Sequence, residues 1–268
     1  MTRADTDGAR IWRLHLGDGP LVATAIHDGH AARDDAAALF ALDDATRLRE
    51  EDPFTAEWTE VAPTRVVVLR SRFEVDLNRP RDQAVYRKPE DAWGLNVWKR
   101  PPPDELVERS LAEYDAFYAA MHKLLKEIER RHGRFVVYDL HTYNHCRDGP
   151  HGPVADPATN PQVNVGTGTM DRRRWTPVVD GFLEALRAFD FPGGKLDVRE
   201  NVKFQGGHWS RWIHQTFPRT GVALAIEVKK FFMDEWSGRA DPDLVAAIAD
   251  ALRFTVPGVL QSLQTPIT

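Results

Sequence analysis

Cysteine is nearly absent: the 268-residue chain holds one, Cys146. That excludes an internal disulfide framework and any zinc site built from thiolates alone. Long apolar runs are missing too. None approaches the roughly 20 residues needed to span a bilayer, so no membrane partner is expected. There is no basic excess either, since 35 Lys and Arg face 40 Asp and Glu for a formal charge of −5. A general nucleic-acid binder carries the opposite balance, and no nucleic-acid partner is expected. Residues 1–10 are polar and acidic and show no secretory signal, which predicts a cytoplasmic protein. No repeat, low-complexity tract or Gly/Ser linker divides the chain, so one domain over residues 1–268 is the economical reading. Composition leaves the oligomeric state open. What the chain does have is ten histidines, several of them where strands are predicted to end.

Short apolar runs mark the strands. Leu21–Ile26 empties into His27-Asp28-Gly29-His30, and Arg65–Leu69 leads to Arg70-Ser71-Arg72. Phe135–Leu140 opens onto His141, Leu196–Phe204 is a further candidate, and Gly221–Val228 carries Glu227 near its end. Helical spacing is read over Asp34–Arg49, Trp175–Phe189 and Asp241–Leu263, the last interrupted or ended near Pro257. The strongest helix is Asp104–Arg131, with Asp104 as its cap, Gly133 as its stop and a stripe through Tyr114, Phe117, Met121 and Ile128. Residues 78–103 hold five prolines and many charges and read as a long irregular excursion; long loops in compact domains are often functional. Strands alternating with helices predict an α/β fold, a sandwich around a mainly parallel or mixed sheet.

In such sheets ligands sit beyond the carboxyl ends of the strands. The predicted ends deliver His27 and His30, Arg72, Asp139 and His141, and Glu227. Two imidazoles and a carboxylate can hold zinc and leave a position for water, which the metal acidifies towards a hydroxide nucleophile. A nearby glutamate can then carry the proton to a leaving amine. Glu227 is the most telling of these, because a carboxylate after Ala223-Leu224-Ala225-Ile226 is costly to bury without a purpose.

Five segments together resemble the N-formylglutamate amidohydrolase family: Ser71–Arg79 (SRFEVDLNR), Asp139-Leu140-His141, Asn164–Thr167 (NVGT), Val202–Gly207 (VKFQGG) and Gly221–Val228. They occur in order over most of the chain, from about His27 to Glu235. The family is similar in fold to zinc carboxypeptidases and to the aspartoacylase and succinylglutamate desuccinylase group. The resemblance therefore implies a three-layer α/β/α sandwich of the zinc-carboxypeptidase type. It implies a zinc-dependent hydrolase, with another divalent metal as an alternative, acting on a small N-formyl or N-acyl amino acid. Its metal ligands would be His27, Asp52 and His141, with Glu51 and His30 as alternates for the middle position. Glu227 would be the general base and acid, and Arg72 the cation that polarises the scissile carbonyl. Asn78 and Arg79 would hold a substrate carboxylate, with Phe204, Gly206 and Gly207 forming a loop beside it. Two departures stand out: Ile26 and Asp28 flank His27 where the family has Pro and Ser or Ala, and His30 replaces the glutamate of the carboxypeptidase motif. Two competing readings follow from the residues. One is a metal-free homologue that binds without catalysis; the other is a thiol hydrolase using Cys146 beside His145 and His151.

Overall fold

The runs of aliphatic and β-branched residues become the centre of a seven-stranded sheet in the computed structural model, which describes residues 11–265. The reading of residues 1–10 lies outside that range. The strands are β1 (Trp12–His15), β2 (Leu21–Ala25), β3 (Thr64–Val68), β4 (Phe135–Tyr143), β5 (Val163–Gly166), β6 (Val198–Glu200) and β7 (Gly221–Lys229). The helices are α1 (Asp34–Ala37), α2 (Asp44–Glu50), α3 (Thr55–Trp58), α4 (Asp104–His132), α5 (Thr176–Ala188), α6 (His208–Thr216) and α7 (Pro242–Gln264). Spatial order is β1-β3-β2-β4-β7-β5-β6. β3, β2, β4 and β7 run parallel to one another, β1 is an antiparallel edge, and the parallel β5–β6 pair joins β7 antiparallel. The sheet is thus mixed and mainly parallel, as expected.

Helices cover both faces, which is why β2 and β4 are buried at every position. Val136, Tyr138 and Leu140 of β4 pack with Leu224 and Ile226 of β7 against α5 and α7. Phe135 and Val137 point the other way, onto Tyr114, Phe117 and Met121 of α4 and Trp209 and Ile213 of α6. Each fully buried side chain of this size contributes about 1.5–3 kcal/mol relative to exposure. Among the described residues no helix is long and apolar enough to cross a membrane.

Several predicted boundaries differ from the observed ones. Asp34–Arg49 is not one helix but α1 and α2, because Phe40 turns inward to pack against Trp98, ring centroids 5.1 Å apart, and Asp43 caps a fresh helix through the Thr46 N–H. Asp104 is the first helical residue rather than the cap; Pro103 precedes it without a side-chain bond. Its charge still favours the positive helix end. α7 runs through Pro257 to Gln264, with that proline on the exposed side. The Leu196–Phe204 strand shrinks to Val198–Glu200, since Asn201 takes a left-handed φ of 55° and the chain leaves the sheet. β1, β5, α3 and α6 were not expected as elements. β4 and β7 reach further than predicted, to Tyr143 and Lys229, so His141 lies within a strand, as Glu227 was expected to.

Candidate active site

Parallel β2, β4 and β7 end along one edge of the sheet, and their last residues meet there. His27 follows β2. His141 and Glu227 are register partners on adjacent strands, so their side chains leave the same face side by side. Asp52 comes from the turn after α2, whose backbone N–H bonds to the His27 carbonyl at 2.9 Å. Thr55 Oγ1 donates to the Asp52 carbonyl at 2.7 Å and holds the same turn.

These contacts aim Asp52 between the imidazoles. Asp52 Oδ2 lies 2.9 Å from His141 Nδ1 and 3.4 Å from His27 Nδ1. All three residues are buried, and their ligand atoms lie within 4.8 Å of one another, close enough to hold one ion. Ligand atoms 2.0–2.1 Å from a shared tetrahedral ion would stand about 3.3 Å apart. Among the described residues His27 Nδ1 has no hydrogen-bond partner although it is fully buried, as a nitrogen intended for a cation would be. A divalent metal therefore fits this donor set.

The electrostatics point the same way. Burial would push the His141 imidazolium down, but Asp139, Glu227 and Asp52 outweigh it and hold it well above its ordinary range. Burial would raise Asp52; His141 and His27 instead keep it far below the usual carboxylate range. His141 Nε2 is 3.0 Å from Asp139 Oδ1, though not in hydrogen-bond geometry. Glu227 is pushed up to about 7, first by burial, with Asp52 and Asp139 adding and His141 and Arg72 opposing. A carboxyl poised there can take up and release a proton near neutrality.

The predicted alternates are engaged elsewhere. His30 Nδ1 pairs with Glu51 Oε2 at 2.6 Å, and Arg47 bonds both the His30 carbonyl and its Nε2. Glu51 also accepts from Ser71 Oγ. Neither joins the His27–Asp52–His141 group.

The remaining candidates line the same cleft, a cavity of about 340 Å³ with Arg72, Asn78, Arg79, Phe204, Gly206 and Gly207 in its walls. Arg72 bonds Asp76 Oδ2 at 2.9 Å. Asn78 Oδ1 accepts from the Trp209 N–H at 2.9 Å and so caps α6 from a distance, leaving its amide N–H groups as donors. A Cβ on Gly207 would meet the Asn78 side chain at 2.2 Å, and Gly206 has φ 104°, so this loop can approach only as glycine.

Asp76 was missed. It is wholly buried and accepts from Arg72, from Tyr86 Oη and from the Asn78 N–H, and its Oδ1 lies 2.7 Å from His27 Nε2. A carboxylate on the far nitrogen of a ligating histidine fixes its tautomer and ring plane. The available signal was an acidic residue set between two apolar ones, Val75 and Leu77. Cys146, by contrast, makes a different cluster with His145 and Glu235 and does not line the cleft. Burial, then Glu235 and Asp234, push its thiol up, which disfavours the thiolate a nucleophile needs.

A mixed sheet covered by helices on both faces, with a buried His-Asp-His cluster in a cleft at its strand ends, defines an α/β hydrolytic scaffold with a candidate metal site. The chain belongs to the N-formylglutamate amidohydrolase family, whose model matches residues 19–233. It is similar to the crystal structure of an N-formylglutamate amidohydrolase from Ralstonia eutropha JMP134, at a TM-score of 0.72 and 18% identity over 95% of this chain and 97% of that one. It is also similar to a gene product of Agrobacterium tumefaciens, at 0.69 and 15% over 96% and 97%. At such identities these two structures share the fold. No curated protein sequence matches the chain.

Proposed function

We propose that the protein is a zinc-dependent amidohydrolase, a single domain laid out like the zinc carboxypeptidases, that cleaves the amide of an N-formyl or N-acyl amino acid in the cytoplasm. Formate or another carboxylate and a free amino acid would be the products. The observation that carries this reading is the buried His27–Asp52–His141 group with Glu227 beside it on the neighbouring strand. His27 and His141 would hold the ion through Nδ1 and Asp52 through Oδ2. Two imidazoles and one carboxylate suit zinc, although other divalent metals accept the same donors. Bound there, the metal supplies Lewis acidity and an acidified water.

The protein's own groups do the rest. Glu227 takes the proton of the attacking water and passes it to the departing amine, so that its charge is restored at the end of the cycle. Arg72, held by Asp76 within the cleft wall, presents a fixed cation to the developing oxyanion. Arg79 and the free amide donors of Asn78 hold the amino acid's carboxylate, for which a planar guanidinium is well suited. Gly206 and Gly207 let the loop backbone close against the substrate.

The test is hydrolysis of a panel of N-formyl and N-acyl amino acids by metal-loaded protein, with kcat/KM for each. Release of free amino acid is expected, N-formylglutamate being the first substrate to try. A folded protein with stoichiometric metal that hydrolyses none of the panel overturns the proposal, and a protein that binds no metal is the non-catalytic homologue. On a cleaved substrate, Arg79→Ala should raise KM about tenfold or more while kcat stays within a few-fold, since uniform binding is what it removes. An unchanged KM would take Arg79 out of substrate binding.

A further inference from the structure

Lys230 is 1% exposed, yet among the described residues no carboxylate accepts a hydrogen bond from it. Its Nζ donates instead to two backbone carbonyls, Arg49 at 2.6 Å and Glu51 at 2.8 Å. These belong to the C-terminal end of α2, where helix carbonyls lack internal partners and the dipole favours a cation. The next residue is Asp52. Lys230 itself follows β7, three positions after Glu227, and its N–H bonds the Tyr143 carbonyl at the end of β4. One ammonium thus ties the turn that carries Asp52 to the strands that carry Glu227 and His141. We propose that Lys230 is a positioning residue for the metal carboxylate, fixing the Asp52 turn against the strand that bears the general base. This rests on the metal-site reading given above.

Lys230→Met keeps the apolar stem and leaves both carbonyls unpaired. Its dissociation constant for zinc, measured by chelator competition, should rise about 10- to 100-fold. Lys230→Arg should restore most of the affinity and Lys230→Gln, a neutral donor one atom shorter, should fall between. The visible spectrum of the cobalt-loaded glutamine variant should differ from wild type as the ligand turn relaxes. If Met does not fold, the Arg and Gln variants carry the same ordering. Wild-type affinity in Lys230→Met, or no graded order among the variants, overturns the proposal. A wild-type protein that takes up no divalent metal overturns both this and the functional reading.

Trp93 offers an independent observation. Trp98, on the same excursion, anchors itself by donating to the Tyr86 carbonyl and packing against Phe40. Trp93 is 48% exposed and sits in the left-handed region, φ 54° and ψ 30°, at the end of the short 3-10 turn Pro89–Ala92. Both features are unfavourable for tryptophan, and they coincide in the cleft wall. The ring lies 4.8 Å from the Arg72 guanidinium carbon and 6.0 Å from that of Arg79. A substrate with its carboxylate on Arg79 and its scissile carbonyl near Arg72 would have its α-carbon between them, on the side of the cleft that the ring lines. We infer that Trp93 is the apolar subsite for the amino acid's side chain, favouring aliphatic or aromatic surface there. Trp93→Ala should lower kcat/KM for N-formylphenylalanine and N-formylleucine about tenfold or more, and for N-formylglycine by less than threefold. An equal loss on all three would mark the ring as a shield for Arg72 and overturn the subsite; so would no loss. If wild type cleaves no N-acyl amino acid, the functional reading falls first.

Discussion

Glu227→Gln is expected to lower kcat by about 10²–10⁴-fold while fold and metal content stay at wild-type levels. Glutamine keeps the shape of the side chain and removes its capacity to hold a proton. Nothing in the Asp52, His27 and His141 contacts depends on that capacity. The measurement is kcat for a cleaved N-acyl amino acid together with metal content on the same preparation. Near-normal turnover would remove Glu227 from the mechanism. Its acidity adds a pH signature. The carboxyl is raised to about 7, chiefly by burial, and only the unprotonated form serves as base. The kcat/KM profile should therefore fall about tenfold per pH unit on its acid side. A dication beside the group favours the carboxylate, so in loaded enzyme this limb lies below that value. Loss of the limb in Glu227→Gln would assign it.

The second large effect belongs to His141. Removing a ligand should weaken zinc binding by at least ~100-fold, beyond the usual cost of losing an outer partner. Turnover should fall to background with it. His141→Ala also strips Asp52 of its 2.9 Å partner and leaves Asp139 and Glu227 facing it without the intervening cation. Breaking a buried pair from one side costs about 3–5 kcal/mol, so metal-free His141→Ala should unfold at a lower temperature than metal-free wild type. Metal content and calorimetry on both variants separate the two roles. Glu227→Gln should retain metal and lose chemistry, whereas His141→Ala should lose metal, chemistry and stability. Retained metal in His141→Ala would mean that the ligand set is different.

Much of this was legible in the chain. Leu21–Ile26, Phe135–Leu140 and Gly221–Val228 are short, largely apolar runs that read as central strands, and a parallel sheet brings their ends to one edge. His27, His141 and Glu227 stand at those ends, so they were candidates before any fold was known. Arg72, Asn78 and Arg79 entered through one contiguous motif. Asp52 was different. Glu50, Glu51 and Asp52 are three consecutive acids, and local pattern ranks them poorly because what separates them is direction. Glu51 turns to His30 and Ser71, Glu50 to Arg49 and Arg147, and Asp52 to the two imidazoles. Lys230 and Asp76 were hidden for a related reason: the groups that give them a role, the carbonyls at the end of α2 and His27, lie far away in sequence and are carried past them by the fold.

The sequence by itself determined the α/β class, the central strands and which residue types stand at their ends, because burial period and strand propensity are local properties of the chain. It also determined what the site could not be, since one cysteine leaves any metal to histidine and carboxylate. Only the tertiary structure decided which carboxylate faces the imidazoles, which lysine closes the turn behind it and which tryptophan is left uncovered over the arginines. Those choices depend on distances and orientations between segments up to 181 residues apart, as Lys230 and Arg49 are. Such geometry exists only once the sheet, with its parallel register, has placed the segments side by side.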